Sequence, residues 1–158
     1  MPAFFLKWKD VISGLGTILG VLIGIVGFGT TIYQLSDAKS VLRASNAYNI
    51  QRDARDLVKS LQDHNDFRDY VMSFDTRKKY DAPVIERAEL QTGRLVNFYL
   101  SVFRQAKADG ISKDFQTAFA KDFCDTLQSK PIGDYWNKKV NAGTFGAEHG
   151  EMRNAWCK

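Results

Sequence analysis

From Val11 to Ser36 the chain carries no charged side chain, and this stretch limits its possible folds more than any other feature. The 22 residues from Val11 to Ile32 hold twelve large apolar side chains, six glycines, three threonines and one serine. About 20 such residues cross the hydrocarbon core of a bilayer, whereas a helix buried in a soluble domain rarely needs so long an uncharged run. Peptide groups in lipid must find their hydrogen bonds within the segment, so the run is expected to be helical despite its glycines. The reading is a transmembrane helix over residues 11–33. A cleavable leader fits less well, because its apolar part is about 7–15 residues long before a small-residue cleavage site. Ser36-Asp37-Ala38 would serve as such a site, but the run before it is too long. The segment is expected to stay attached as an anchor.

The flanks agree with that expectation. Residues 1–10 form an interfacial tail in which Trp8 lies between Lys7 and Lys9, and Tyr33 takes the corresponding place at the other end. Aromatic rings settle at headgroup depth while ammonium groups reach water, so Trp8 and Tyr33 read as membrane-interface anchors against lipid. Orientation follows the Lys/Arg bias near the span. Lys7 and Lys9 on one side face Lys39, Arg43, Arg52 and Arg55 on the other, a near balance. A ten-residue tail is easily translocated, which places the C-terminal domain on the cytoplasmic side of the inner membrane.

Within the run, Ser13, Gly16, Gly20, Gly24, Gly27 and Thr31 recur at helical spacing and share one face. Membrane helices gain nothing hydrophobic by associating; they associate through close backbone approach and van der Waals contact, which glycine permits. Glycine is common in membrane helices, yet each one lowers helix propensity by about 1 kcal/mol in water, and a helix facing lipid alone gains nothing from so many. The stripe therefore reads as a packing face for other transmembrane helices.

Residues 34–158 read as a helical extramembrane domain, and the fold class as all-α. No Pro or Gly occurs from 30 to 82, so the membrane helix is expected to run on to about residue 62, with Ser36-Asp37 as the one place for a restart. Ala47, Ile50, Ala54, Leu57, Val58 and Leu61 mark its apolar face. His64-Asn65-Asp66 reads as a turn before a short helical piece over 67–74, and residues 75–82 as an irregular charged loop. Pro83 suits a first helical turn. Ile85, Ala88, Thr92, Leu95, Tyr99, Val102 and Ala106 then form a core stripe ended by Gly110. Ser112 reads as an N-cap for a helix carrying Phe115, Ala118, Phe119 and Phe123 and ending before Pro131, followed by helices near 134–140 and from about 146.

Apolar residues make up 44% and aromatics 13%, which excludes a disordered chain. A net charge of +4, mixed in sign, gives no case for nucleic acid. There is no phosphate-binding glycine loop, metalloprotease helix or nucleophile elbow, so no catalytic residue, cofactor or metal is expected. Cys124, His64 and His149 are the first candidates should a site assemble without a motif. Acidic Asp122 and Asp125 would raise the Cys124 thiol, the wrong direction for a nucleophile. Cys124 and Cys157 could pair in an oxidising compartment or stay reduced in the cytoplasm, and their spacing favours neither pairing nor zinc. Buried or incidental thiols are the expectation. Trp136 and Trp156 read as core anchors.

Trp8 in the tail, Tyr33-Gln34-Leu35 closing the span, Leu42-Arg43-Ala44-Ser45 beyond it, and Phe98, Tyr99 and Phe103 leading through Gly110 to Trp136 carry a resemblance. The layout resembles a broad group of bacterial membrane proteins with one N-terminal span and a small helical domain. That group implies no activity and supplies no catalytic residues. The expected function is a non-enzymatic single-pass subunit or assembly factor of a bacterial membrane complex, docking through the glycine face. The alternative is a homo-oligomer of such helices, with a pore-forming ring as one form of it.

Overall fold

The computed structural model describes the backbone of residues 3–157 and the side chains of residues 23–157, and it is all-α. Six helices follow in order: α1 Ala3–Asp63, α2 Asn65–Phe67, α3 Ala82–Lys107, α4 Lys113–Gln128, α5 Lys130–Asn141 and α6 Ala147–Trp156, with a π-helical turn Arg68–Met72 after α2. The chain divides into two compact units at Leu42/Arg43.

Helix α1 is one element of 61 residues, without the restart that Ser36-Asp37 offered. The Ser40 hydroxyl donates to the Asp37 carbonyl at 2.8 Å, so this polar stretch bonds along the helix rather than interrupting it. Among the described residues no helix is long and apolar enough to cross a membrane. The described side chains begin at Ile23, and residues 11–22 of the predicted span, with Ser13, Gly16 and Gly20, lie outside them, as does the side chain of Trp8.

In the second unit α3 is the central helix. Ala88, Gln91, Thr92, Val96, Tyr99, Leu100, Val102 and Phe103 are buried along it. The expected stripe is therefore only part of the buried arc. Val96, Leu100 and Phe103 form a neighbouring row, because α3 contributes to three apolar clusters. The largest joins Tyr99 and Phe103 to Phe123 of α4, Tyr135 and Trp136 of α5 and Met152 of α6. A second gathers Leu61, Phe67, Val71, Ala88 and Ile132, and a third Ile50, Val102 and Ile111. These hold the part of α1 beyond Arg43 to the bundle through Ile50 and Leu61. Val58, expected on that apolar face, is 49% exposed, and Ala118, expected with the α4 phenylalanines, is exposed too.

Helix ends follow local chemistry. Ser112 caps α4 as its hydroxyl accepts from the Phe115 N–H at 3.3 Å. Helix α4 ends at Gln128, before Pro131 as expected, and Pro131 sits in the first turn of α5, which begins at Lys130 rather than near 134. At the end of α3 the left-handed residue is Asp109, with φ 55°, and not Gly110. The Gly110 N–H bonds the Gln105 carbonyl at 2.8 Å and closes the terminus. Gly110 is there for space. A Cβ on it would lie 2.9 Å from Asn46 Nδ2, which donates to the Gly110 carbonyl at 3.0 Å. Beside it Arg43 pairs with Asp109.

The loop before α3 is held by aromatics that charge pattern alone did not reveal. Tyr70, Phe74 and Tyr80 contact one another with ring centroids 5.0–5.9 Å apart. The Tyr80 hydroxyl donates to the Asp69 carbonyl and accepts from the Asp75 N–H. Arg87 of α3 reaches Asp66 at 2.5 Å and ties α2 to the bundle.

Candidate functional site

The most unusual surface is the helical stretch 23–42. Ile23, Ile25, Val26, Phe28, Ile32, Tyr33, Leu35, Val41 and Leu42 are each 55–76% exposed. At 100° per residue these side chains spread around the helix axis rather than forming one stripe, and Gly24, Gly27 and Thr31 fill the narrow strip between them. Ahead of Asp37 and Lys39 no charged side chain interrupts this apolar surface. Among the described residues, nothing beyond the helix's own adjoining backbone lies within 4 Å of a Cβ built on Gly24, Gly27 or Gly29.

Both threonine hydroxyls on this stretch are satisfied within the helix. Thr30 and Thr31 both donate their hydroxyls to the Gly27 carbonyl at 2.8 Å. Such back-bonding lets a threonine sit in an apolar medium without an unsatisfied donor. Of the residues proposed from the sequence, Gly24, Gly27, Thr31 and Tyr33 are exposed here, Tyr33 at 76%, while the side chains of Ser13, Gly16, Gly20 and Trp8 fall outside the described residues.

The candidates for catalysis have separate fates. His64 is exposed beyond the end of α1, its Nδ1 2.6 Å from the Ser60 carbonyl. His149 of α6 stacks on Phe145, with centroids 4.2 Å apart and planes 2° from parallel, and lies beside Trp136. Burial holds its imidazole below the ordinary range, an effect the Gly146 backbone opposes only in part. Neither ring nitrogen completes a hydrogen bond of good geometry. Cys124 is bonded to Cys157 and is no free nucleophile. The two thiols expected to be incidental are thus a disulfide, with Cα atoms 5.5 Å apart across 33 positions of sequence. Among the described residues no group of three or more His, Cys, Asp or Glu side chains could hold a metal.

The strongest perturbation of a titratable group belongs to the core. Burial first, and then donation to Asp122 at 2.5 Å, push the Tyr99 hydroxyl far above its usual range, as suits a tether between α3 and α4. Two of the grooves on the surface of the described residues differ sharply in character. One, of about 530 Å³, runs along the disulfide and is lined by Lys121, Asp125, Arg153 and Trp156. The other, of about 330 Å³, is apolar, with Val58, Phe67, Val71, Met72 and Ile132 on its walls. Neither gathers a nucleophile, a base and an anion-stabilising donor. No family model, curated protein or solved structure matches the chain.

Proposed function

We propose that the chain is a non-enzymatic single-pass membrane subunit or assembly factor of a bacterial membrane complex. Residues 11–33 cross the bilayer and the helical domain presents a second surface to the assembly. The observation that carries this reading is the all-round apolar exposure of residues 23–35 on a helix whose Thr30 and Thr31 hydroxyls are satisfied by its own backbone. Continuing the uncharged sequence back to Val11 gives the length a bilayer requires. Trp8 and Tyr33 bracket the span at the two interfaces, and the strip containing Ser13, Gly16, Gly20, Gly24, Gly27 and Thr31 faces a partner helix. The non-enzymatic part of the reading is supported by the separate placement of Cys124, His64 and His149.

Alkaline carbonate extraction and crosslinking in native membranes test the reading together. The chain stays in the membrane pellet, and a photoreactive residue replacing Thr31 crosslinks to a different protein. Release into the carbonate supernatant refutes the anchor. Crosslinks to copies of the same chain alone replace the subunit by the homo-oligomer.

A further inference from the structure

The disulfide bears on which side of the membrane the domain occupies. Cys124 lies in α4 and Cys157 is the first residue after α6, so the fold and not the sequence brings them together. Both pack against the cluster of Phe123, Trp136 and Met152, and Met152 is fully buried. Helix α6 is further seated on α3 by Arg104 with Glu148 at 2.5 Å and Lys107 with Glu151 at 2.8 Å. The thiols are thus juxtaposed by apolar packing and two ion pairs. Their Cα separation lies well inside the range a disulfide can span. Both cysteines line an open groove, so an oxidant can reach them. Disulfides persist in oxidising compartments and are kept reduced in the cytoplasm.

We infer that the helical domain lies on the oxidising side of the membrane, with the N-terminal tail in the cytoplasm and the Cys124–Cys157 bond made after translocation. This reverses the orientation expected from the ease of translocating a short tail, and it rests on the proposed span. Charge opposes it only weakly. The rule counts Lys and Arg near the ends of the span, where Lys7 and Lys9 stand against Lys39, Arg43, Arg52 and Arg55. The oxidant is a disulfide of a dithiol–disulfide oxidoreductase. One cysteine thiolate attacks it and expels one of its thiolates, giving a mixed disulfide. The second cysteine thiolate then attacks that bond at the sulfur of the first and expels the other. Two thiols of the chain lose two protons and two electrons, and the oxidant disulfide becomes two thiols.

The test uses the full chain in bacterial cells, quenched with acid and denatured before treatment with a maleimide-bearing polymer that retards labelled protein on a gel. The expected result is no retardation without reduction and a shift by two labels after it. Protease added to spheroplasts removes the domain, and inverted vesicles protect it. A two-label shift without reduction, or protection of the domain in spheroplasts, overturns the inference. Carbonate extraction separates the two levels of failure. A chain retained in the membrane with free thiols sinks only the sidedness, whereas a chain released by carbonate sinks the span and the sidedness together.

Discussion

Gly110 and His149 show how single positions in the domain are constrained in opposite ways. Gly110 is held by crowding, since its missing side chain leaves room for Asn46 to reach the α3–α4 loop. Gly110→Ala must displace either that amide or the Gln105 carbonyl, 3.2 Å from the added Cβ. The expected loss is about 1–3 kcal/mol, the usual cost of overpacking, read as a lower urea midpoint with an unchanged slope. His149 is constrained by its charge. Its folded-state pKa is depressed by burial, so the unfolded chain binds the proton more readily. The neutral imidazole's contribution is complete above the ordinary histidine pKa of about 6.5 and is lost as pH falls from there through the folded value. Stability therefore declines on acidification below that point. His149→Phe, which keeps the stack on Phe145, flattens this part of the profile in a urea titration at several pH values. A second decline comes at lower pH and survives the substitution. The Arg87 guanidinium lowers Asp66, and the Arg104 guanidinium lowers Glu148, so both carboxylates resist protonation until below their ordinary range.

Individual helices were legible to the extent that their signals are local. The step pattern from Ile85 to Ala106, the Ser112 cap and the Gly/Pro-free stretch behind the length of α1 all lie within a turn or two of the residues they govern. What stayed hidden depends on pairs distant in sequence. The second buried row of α3 exists because α4, α5 and α6 pack beside the face that Ile50 and Leu61 already use. The Tyr70–Phe74–Tyr80 contact sits in a segment whose charges suggested only a loop. The disulfide spans 33 positions with no spacing motif, and only the packing of α6 against α4 reveals it. Helix α6 has 10 residues, fewer than the ~12–15 at which an isolated helix becomes even marginally stable in water. It needs tertiary support, and the bridge supplies part. Closing a loop of this size restricts the unfolded chain by about 3–4 kcal/mol in the chain-entropy view. Reduction, or Cys124→Ala with Cys157→Ala, should lower the domain's unfolding free energy by that order. Hydrogen exchange should show α6 opening before α3 and α4. Uniform protection of α6 in the reduced domain would mean that the ion pairs and Met152 hold it unaided.

At the scale of the whole molecule, the two units divide the work. The unit from Arg43 onward buries its own core and pairs about half of its charges, whereas residues 23–42 carry their large apolar side chains exposed. The sequence marks Gly24, Gly27 and Thr31 as a packing face and Tyr33 as an interface anchor, because glycine spacing and the lack of charge are one-dimensional signals. The identity of the partner is not such a signal; it depends on a surface belonging to another molecule. Gly24 gives the clearest handle on that surface. A Cβ there meets nothing within 4 Å in the chain itself, and isoleucine is favoured in lipid, so Gly24→Ile should insert and fold normally. Its added bulk acts only on a neighbouring helix, where it should cost about 1–3 kcal/mol of association. Native mass spectrometry of the chain purified in mild detergent reads this directly. The account predicts that the wild-type chain is recovered bound to another membrane protein in fixed stoichiometry, and that Gly24→Ile comes through the same purification largely without it. Recovery of the wild-type chain as a lone monomer, or equal partner recovery with Gly24→Ile, would contradict the account.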